Sequence, residues 1–172
     1  MVGSDAVWRA AGLALAVGLT AAPAMAEMAP AGAPAAFGIQ GRAVILSVRG
    51  IGAQIYECKP DPSGGDHWVF REPVAALVKD GTTVGRHYAG PTWALDGDAT
   101  VTGKLAASAP GVGPDDITLL KLDVVQARGE GALKGAALVL RLNTQGGALK
   151  GACEHPGELR AAPYSADYVF LR

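Results

Sequence analysis

The sequence predicts an all-β protein, an antiparallel β-sandwich or closed barrel of about 8–10 short strands held by one disulfide. Three observations carry that expectation. Short runs rich in β-formers recur along residues 38–172 with turn residues between them. Helix signals are scarce, and the apolar runs alternate or are too short for a helix. Two cysteines only, Cys58 and Cys153, stand 95 residues apart and enclose most of the domain.

The elements follow in chain order. Residues 1–26 read as a secretory signal peptide. Arg9 flanks an uncharged stretch from Ala10 to Ala22, Pro23 ends it, and Ala24-Met25-Ala26 sets small residues before a cut after Ala26. Asp5 weakens the charged flank, and an uncleaved interfacial anchor is the alternative. The run is shorter than the ~20 apolar residues of a membrane span. Residues 27–37 (EMAPAGAPAAF) are Pro/Ala-rich and read as a flexible linker. Residues 38–172 then form a single β-domain.

Within that domain Arg42–Val48 is β-rich. Ala53–Cys58 alternates, with Ala53, Ile55 and Glu57 on one face and Gln54, Tyr56 and Cys58 on the other. Residues 59–65 (KPDPSGG) form a turn-rich loop. His67–Arg71 and Val74–Lys79 follow, parted by Pro73, and Asp80-Gly81 supplies the positive φ angles of a tight hairpin into Thr82–Tyr88. Asp96-Gly97-Asp98 joins Thr92–Leu95 to Ala99–Leu105. Ile117–Val125 and Ala136–Asn143 are the strongest strands, and Ala166–Leu171 closes the chain. The loops at 59–66, 106–116 and 144–163 are where such a scaffold would bind.

The export signal places the domain in a secreted or periplasmic setting, where Cys58 and Cys153 are expected to pair. The formal net charge is −1. That excludes the strong cationic field of a nucleic-acid binder or polybasic membrane anchor. No transmembrane segment is expected after signal cleavage.

Several strings resemble a known but uncharacterised family of secreted proteins, the domain of unknown function 3455. They are Gly52–Cys58 (GAQIYEC), Trp68-Val69-Phe70, His87–Trp93 (HYAGPTW), Arg141–Gly147 (RLNTQGG), Cys153 with His155 and Gly157, and Pro163–Tyr168 (PYSADY). The resemblance spans roughly residues 38–172. It implies a β-fold and a secreted habit, and it brings no activity. One departure is visible. The family pattern carries an aromatic before a Leu pair, where this chain has Thr118 before Leu119-Leu120, which would alter packing or a pocket there.

The candidate ligand-binding residues are His87, Tyr88, Trp93, Arg141 and Asn143. The turn at Gly90-Pro91 would hold Tyr88 and Trp93 beside the His87 imidazole as a platform for a sugar or aromatic ligand. The plainer reading is a buried corner, with His87 bonded to a backbone carbonyl and Trp93 filling the core. Arg141, at a strand end beside Gly146-Gly147, could clamp an anion or anchor the carboxylate of Asp167 or Glu57 across the sheet. The histidines are His67, His87 and His155. A copper or zinc site would draw on His87 and His155, although no short ligand spacing joins them. Asp96 and Asp98 read as a solvated turn, not a calcium loop. No Gly-x-Ser-x-Gly elbow, phosphate loop or dinucleotide fingerprint occurs.

The first expectation for function is therefore a secreted or periplasmic β-domain, not an enzyme, that binds a small molecule or partner through its loops. The alternatives are a metal-dependent, copper or zinc, oxidoreductase-like enzyme on a β-sandwich, and a structural protein of the cell envelope.

Overall fold

The computed structural model describes residues 29–62, 64–97 and 99–172. The expected signal peptide lies outside the described residues. The strands are Val44–Pro60 (β1), Asp66–Lys79 (β2), Thr82–Tyr88 (β3), Thr92–Leu95 (β4), Thr100–Ala109 (β5), Leu119–Arg128 (β6), Leu138–Gly146 (β7), Ala152–Cys153 (β8) and Leu159–Leu171 (β9). Among the described residues these form one antiparallel sheet in the order β1-β9-β7-β6-β5-β4-β3-β2-β8. Strand β1 also pairs with β2, so the order closes on itself. The result is a ring-like sheet and not a regular barrel.

Several strands are longer than the sequence suggests: β1 has 17 residues, β2 has 14 and β9 has 13. Val44–Val48 and Ala53–Cys58 belong to one strand, β1. Gly50 and Gly52 do not turn the chain. They let neighbours approach it: a Cβ on Gly50 would strike the Tyr168 ring, and one on Gly52 would strike the backbone at Val74. Pro73 does not end β2 either. It sits beside a bulge opposite Ile55 and Tyr56, before the stretch paired to β3 begins at Ala75. The Asp80-Gly81 hairpin is present, with φ of 49° and 78°.

The apolar run Leu138–Leu142 is a strand because both of its faces are covered. Val139 packs inward with Leu122, Trp93 and Phe170. Leu138, Leu140 and Leu142 face outward, under Phe37 and Ile39. Phe37 closes a short 3-10 turn, Ala35–Phe37, and is 2% exposed. Its carbonyl accepts a hydrogen bond from Lys121 Nζ at 2.7 Å. The described part of the lead-in therefore covers the outer face of the β7–β9 wall.

Cys58 and Cys153 form the expected disulfide, with their Cα atoms 5.9 Å apart. It joins the far end of β1 to β8, which pairs with the start of β2 at Asp66 and His67. Tyr56, Cys58 and Trp68 make a small apolar cluster around it, with Leu149 packed alongside.

Candidate functional site

Alternation along five strands points one set of side chains into the ring. Strand β1 sends in Gln54 and Tyr56, β3 sends in His87, β4 Trp93, β7 Arg141, and β9 Tyr164 and Tyr168. All of these except Tyr164 line a half-open cavity of about 600 Å³. His87, Trp93, Tyr168 and Leu122 form its buried floor. Exposed Phe70, Arg71, Thr118 and Lys150 stand at its mouth.

His87 and Trp93 are direct cross-strand partners, as are Ala75 and His87. The small Ala75 leaves the imidazole room to lie flat on the indole. His87 Nδ1 is 2.8 Å from the Thr92 carbonyl oxygen. A carbonyl only accepts, so Nδ1 donates and Nε2 carries the lone pair. Burial, with a smaller contribution from the nearby Arg141 charge, holds the His87 pKa down at about 4, against the opposing pull of the Thr92 carbonyl. The ring is neutral at physiological pH.

Arg141 is cross-strand from Leu120 on one side and Tyr168 on the other. Its Nε donates to the Thr118 carbonyl at 3.0 Å, and Nη2 donates to Thr118 Oγ1 at 3.3 Å. Burial lowers its pKa, while the neighbouring Tyr168 and Tyr164 hydroxyls favour the charged form. Among the described residues no carboxylate lies within ion-pair distance of it. The Tyr164 and Tyr168 hydroxyls are 2.9 Å apart. Burial raises both phenol pKa values, so both remain neutral. The Gln54 amide lies against Tyr164, yet its buried Nε2 makes no hydrogen bond of good geometry. Thr118, Arg141, Tyr168 and Gln54 thus form a polar strip in the cavity lining, extended by Tyr164 through its bond to Tyr168.

The one carboxylate in the lining is already occupied. Asp116 accepts from the Gly146 amide at 2.6 Å and from the Gly113 amide at 2.8 Å, and these bonds lower its pKa. They tie the 110–117 loop to the end of β7. Tyr56 Oη donates to the Gly147 carbonyl at 2.9 Å, closing the same corner from β1.

Of the residues singled out from sequence, the structure brings His87, Trp93 and Arg141 to one cavity. Both readings of the corner hold part of the geometry: His87 does bond a backbone carbonyl, Trp93 is 1% exposed, and both line the cavity. Tyr88 lies on the opposite face of β3, where the Arg86 guanidinium sits 5.4 Å from its ring centre. Asn143 is also outside. Its Nδ2 donates to Asp167 Oδ2 at 2.7 Å, and Arg49 bonds the other oxygen at 2.9 Å. Asp167 is therefore anchored by Arg49 and Asn143, not by Arg141.

His155 is exposed in the turn after β8. Cys153 pairs with Asp66 and His87 with Ala75, so nine positions of β2, roughly 30 Å, separate those two registers. The structure does not bring His155 to His87. Among the described residues no group of three or more His, Cys, Asp or Glu side chains could hold a metal ion.

Gln54, Tyr56, Thr118, Tyr164 and Tyr168 were not legible as site residues. The signal for the tyrosines is the period-two spacing Tyr164-x-Ala166-x-Tyr168, which sets all three on one face. Thr118 is where the chain departs from the pattern it resembles, and it is the residue that orients Arg141.

No curated protein and no solved structure matches the chain. The model of the family described as Protein of unknown function (DUF3455) matches residues 39–172, and the chain belongs to that family.

Proposed function

We propose that this is an exported small-molecule-binding domain whose ligand sits inside the ring, on the aromatic floor, and not on the loops alone. One observation carries the reading: Arg141 is a guanidinium set among buried phenols, open to a largely apolar cavity, with no carboxylate among the described residues within ion-pair distance. A cavity of about 600 Å³ with an apolar lining and a few convergent polar groups is the usual form of a ligand site. Buried polar atoms without good partners, such as Gln54 Nε2 and Trp93 Nε1, are costly unless something bonds to them.

Export is supported by the leader ending Ala24-Met25-Ala26 and by the Cys58–Cys153 bridge, a bond that persists in oxidising compartments. Among the described residues no helix is long and apolar enough to cross a membrane.

The test is titration with the neutral apolar fluorophore N-phenyl-1-naphthylamine. Wild type should bind it and gain thermal stability. Leu122→Trp, which fills the cavity floor, should fold, by circular dichroism, and fail to bind. Equal binding by both proteins would overturn an internal site.

A further inference from the structure

We infer that the cavity takes a small carboxylic acid with a flat, apolar body, its carboxylate held by Arg141. This rests on the cavity being a ligand site and names the chemistry that the site selects.

The donor inventory of Arg141 leads to one carboxylate. A guanidinium has five N–H groups in a fixed fork. Thr118 takes Nε–H and one N–H of Nη2, and the Tyr168 hydroxyl engages the guanidinium as well. That leaves two N–H groups, the number that one carboxylate takes. Thr118 also fixes the plane of the fork, so little side-chain freedom is lost on binding.

The charge of the lining points the same way. Arg71, Arg141 and Lys150 stand against Asp116 alone, three cations to one carboxylate. Asp116 is already engaged by two backbone amides, and it is Glu72, outside the lining, that lies 3.3 Å from Arg71. His87 adds no charge of either sign.

A phosphate fits less well. Its sites draw on backbone amides gathered at a helix N-terminus or in a nest. Here the Gly113 and Gly146 amides are used by Asp116, and the 3-10 turn Ala35–Phe37 lies on the outer face. The remaining walls, with Trp93, Phe70, Ile117, Leu120 and Leu122, suit a planar ring more than a sugar.

The experiment compares trans-cinnamate with trans-cinnamamide, its neutral counterpart, by calorimetric titration of wild type and Arg141→Gln at pH 7. Losing a charge-assisted pair lowers affinity about ten- to hundredfold. Wild type should prefer the acid by that factor, and Arg141→Gln should lose the preference. Amide binding as tight as acid binding overturns the carboxylate assignment while leaving the internal site standing. Phenyl phosphate binding more tightly than cinnamate also overturns it. If neither acid nor amide binds while N-phenyl-1-naphthylamine still does, the acid assignment fails alone. If the fluorophore fails too, both readings fall. Should Arg141→Gln not fold, the acid-to-amide ratio in wild type decides.

Discussion

The His87 imidazole lies flat on the Trp93 indole, ring centres 4.5 Å apart and planes 10° from parallel, between β3 and the four-residue β4. Tyr168 and Phe170 meet the indole edge-on at 5.5 and 6.1 Å. A charged imidazolium does not belong in that packing, because burial withdraws it from water.

Mild acid should therefore loosen the protein. His87 has a pKa of about 4 when folded, against 6.5 for an ordinary histidine. Between those values the unfolded chain binds the proton and the folded one does not, so stability falls as pH drops from 6.5 to 4. The loss totals about 3 kcal/mol by linkage. Urea unfolding across that range should show it, and His87→Gln should flatten the slope. An unchanged slope in the variant would remove His87 as its source.

Reduction of Cys58–Cys153 should lower the melting temperature. A bridge spanning 95 residues restrains the unfolded chain by about 4–5 kcal/mol, roughly 10–20 °C for a domain of this size. Calorimetry with and without a phosphine reductant checks it. The fall should be matched by a Cys58→Ser, Cys153→Ser double variant.

Tyr88 and Trp93 should behave oppositely. Trp93→Ala empties the centre of the core and should cost about 3–5 kcal/mol. Tyr88→Ala removes a half-exposed ring on the outer face and should cost about 1 kcal/mol or less, with fluorophore binding unchanged. Chemical denaturation of both variants gives the comparison. A larger cost for Tyr88 would mean the corner is turned the other way.

Thr118→Trp should narrow the mouth of the cavity without unfolding the sheet, since Thr118 is exposed and its bond to Arg141 Nε uses the backbone carbonyl. Fluorophore affinity should fall by about tenfold, consistent with lost access or volume. Melting should change little.

Asp116→Ala should free the 110–117 loop from Gly146. Its carboxylate is held below its ordinary pKa by the Gly146 and Gly113 amides. That support is present above the unfolded pKa and is lost as pH falls through the folded value. Faster amide exchange at Gly113 and Gly146 in the variant, at neutral pH, is the expected readout.

Some of this was readable in the chain because it depends on local chemistry. Asp80-Gly81 can turn as few other pairs can, and Gln54-x-Tyr56-x-Cys58 alternates in any strand. Other features depend on partners distant in sequence. Gly50 and Gly52 look like turn residues until Tyr168 and Val74 are laid against them. Arg141 is the partner that the sequence suggests for Asp167, but the registers of β9 set Arg49 opposite Asp167 and Arg141 opposite Tyr168. Tyr88 and Trp93 flank one turn, but which of them faces inward is set by the pairing of β3 with β2. The cavity arises from seven strands at once, so no window of sequence displays it.

Strand β9 follows the other strands in sequence and is seated between β1 and β7. The wall carrying Tyr164 and Tyr168 cannot assemble until Leu159–Leu171 has been synthesised, and β1 must wait unzipped on that edge until then. Without β9 the earlier hairpins would have no ring to close.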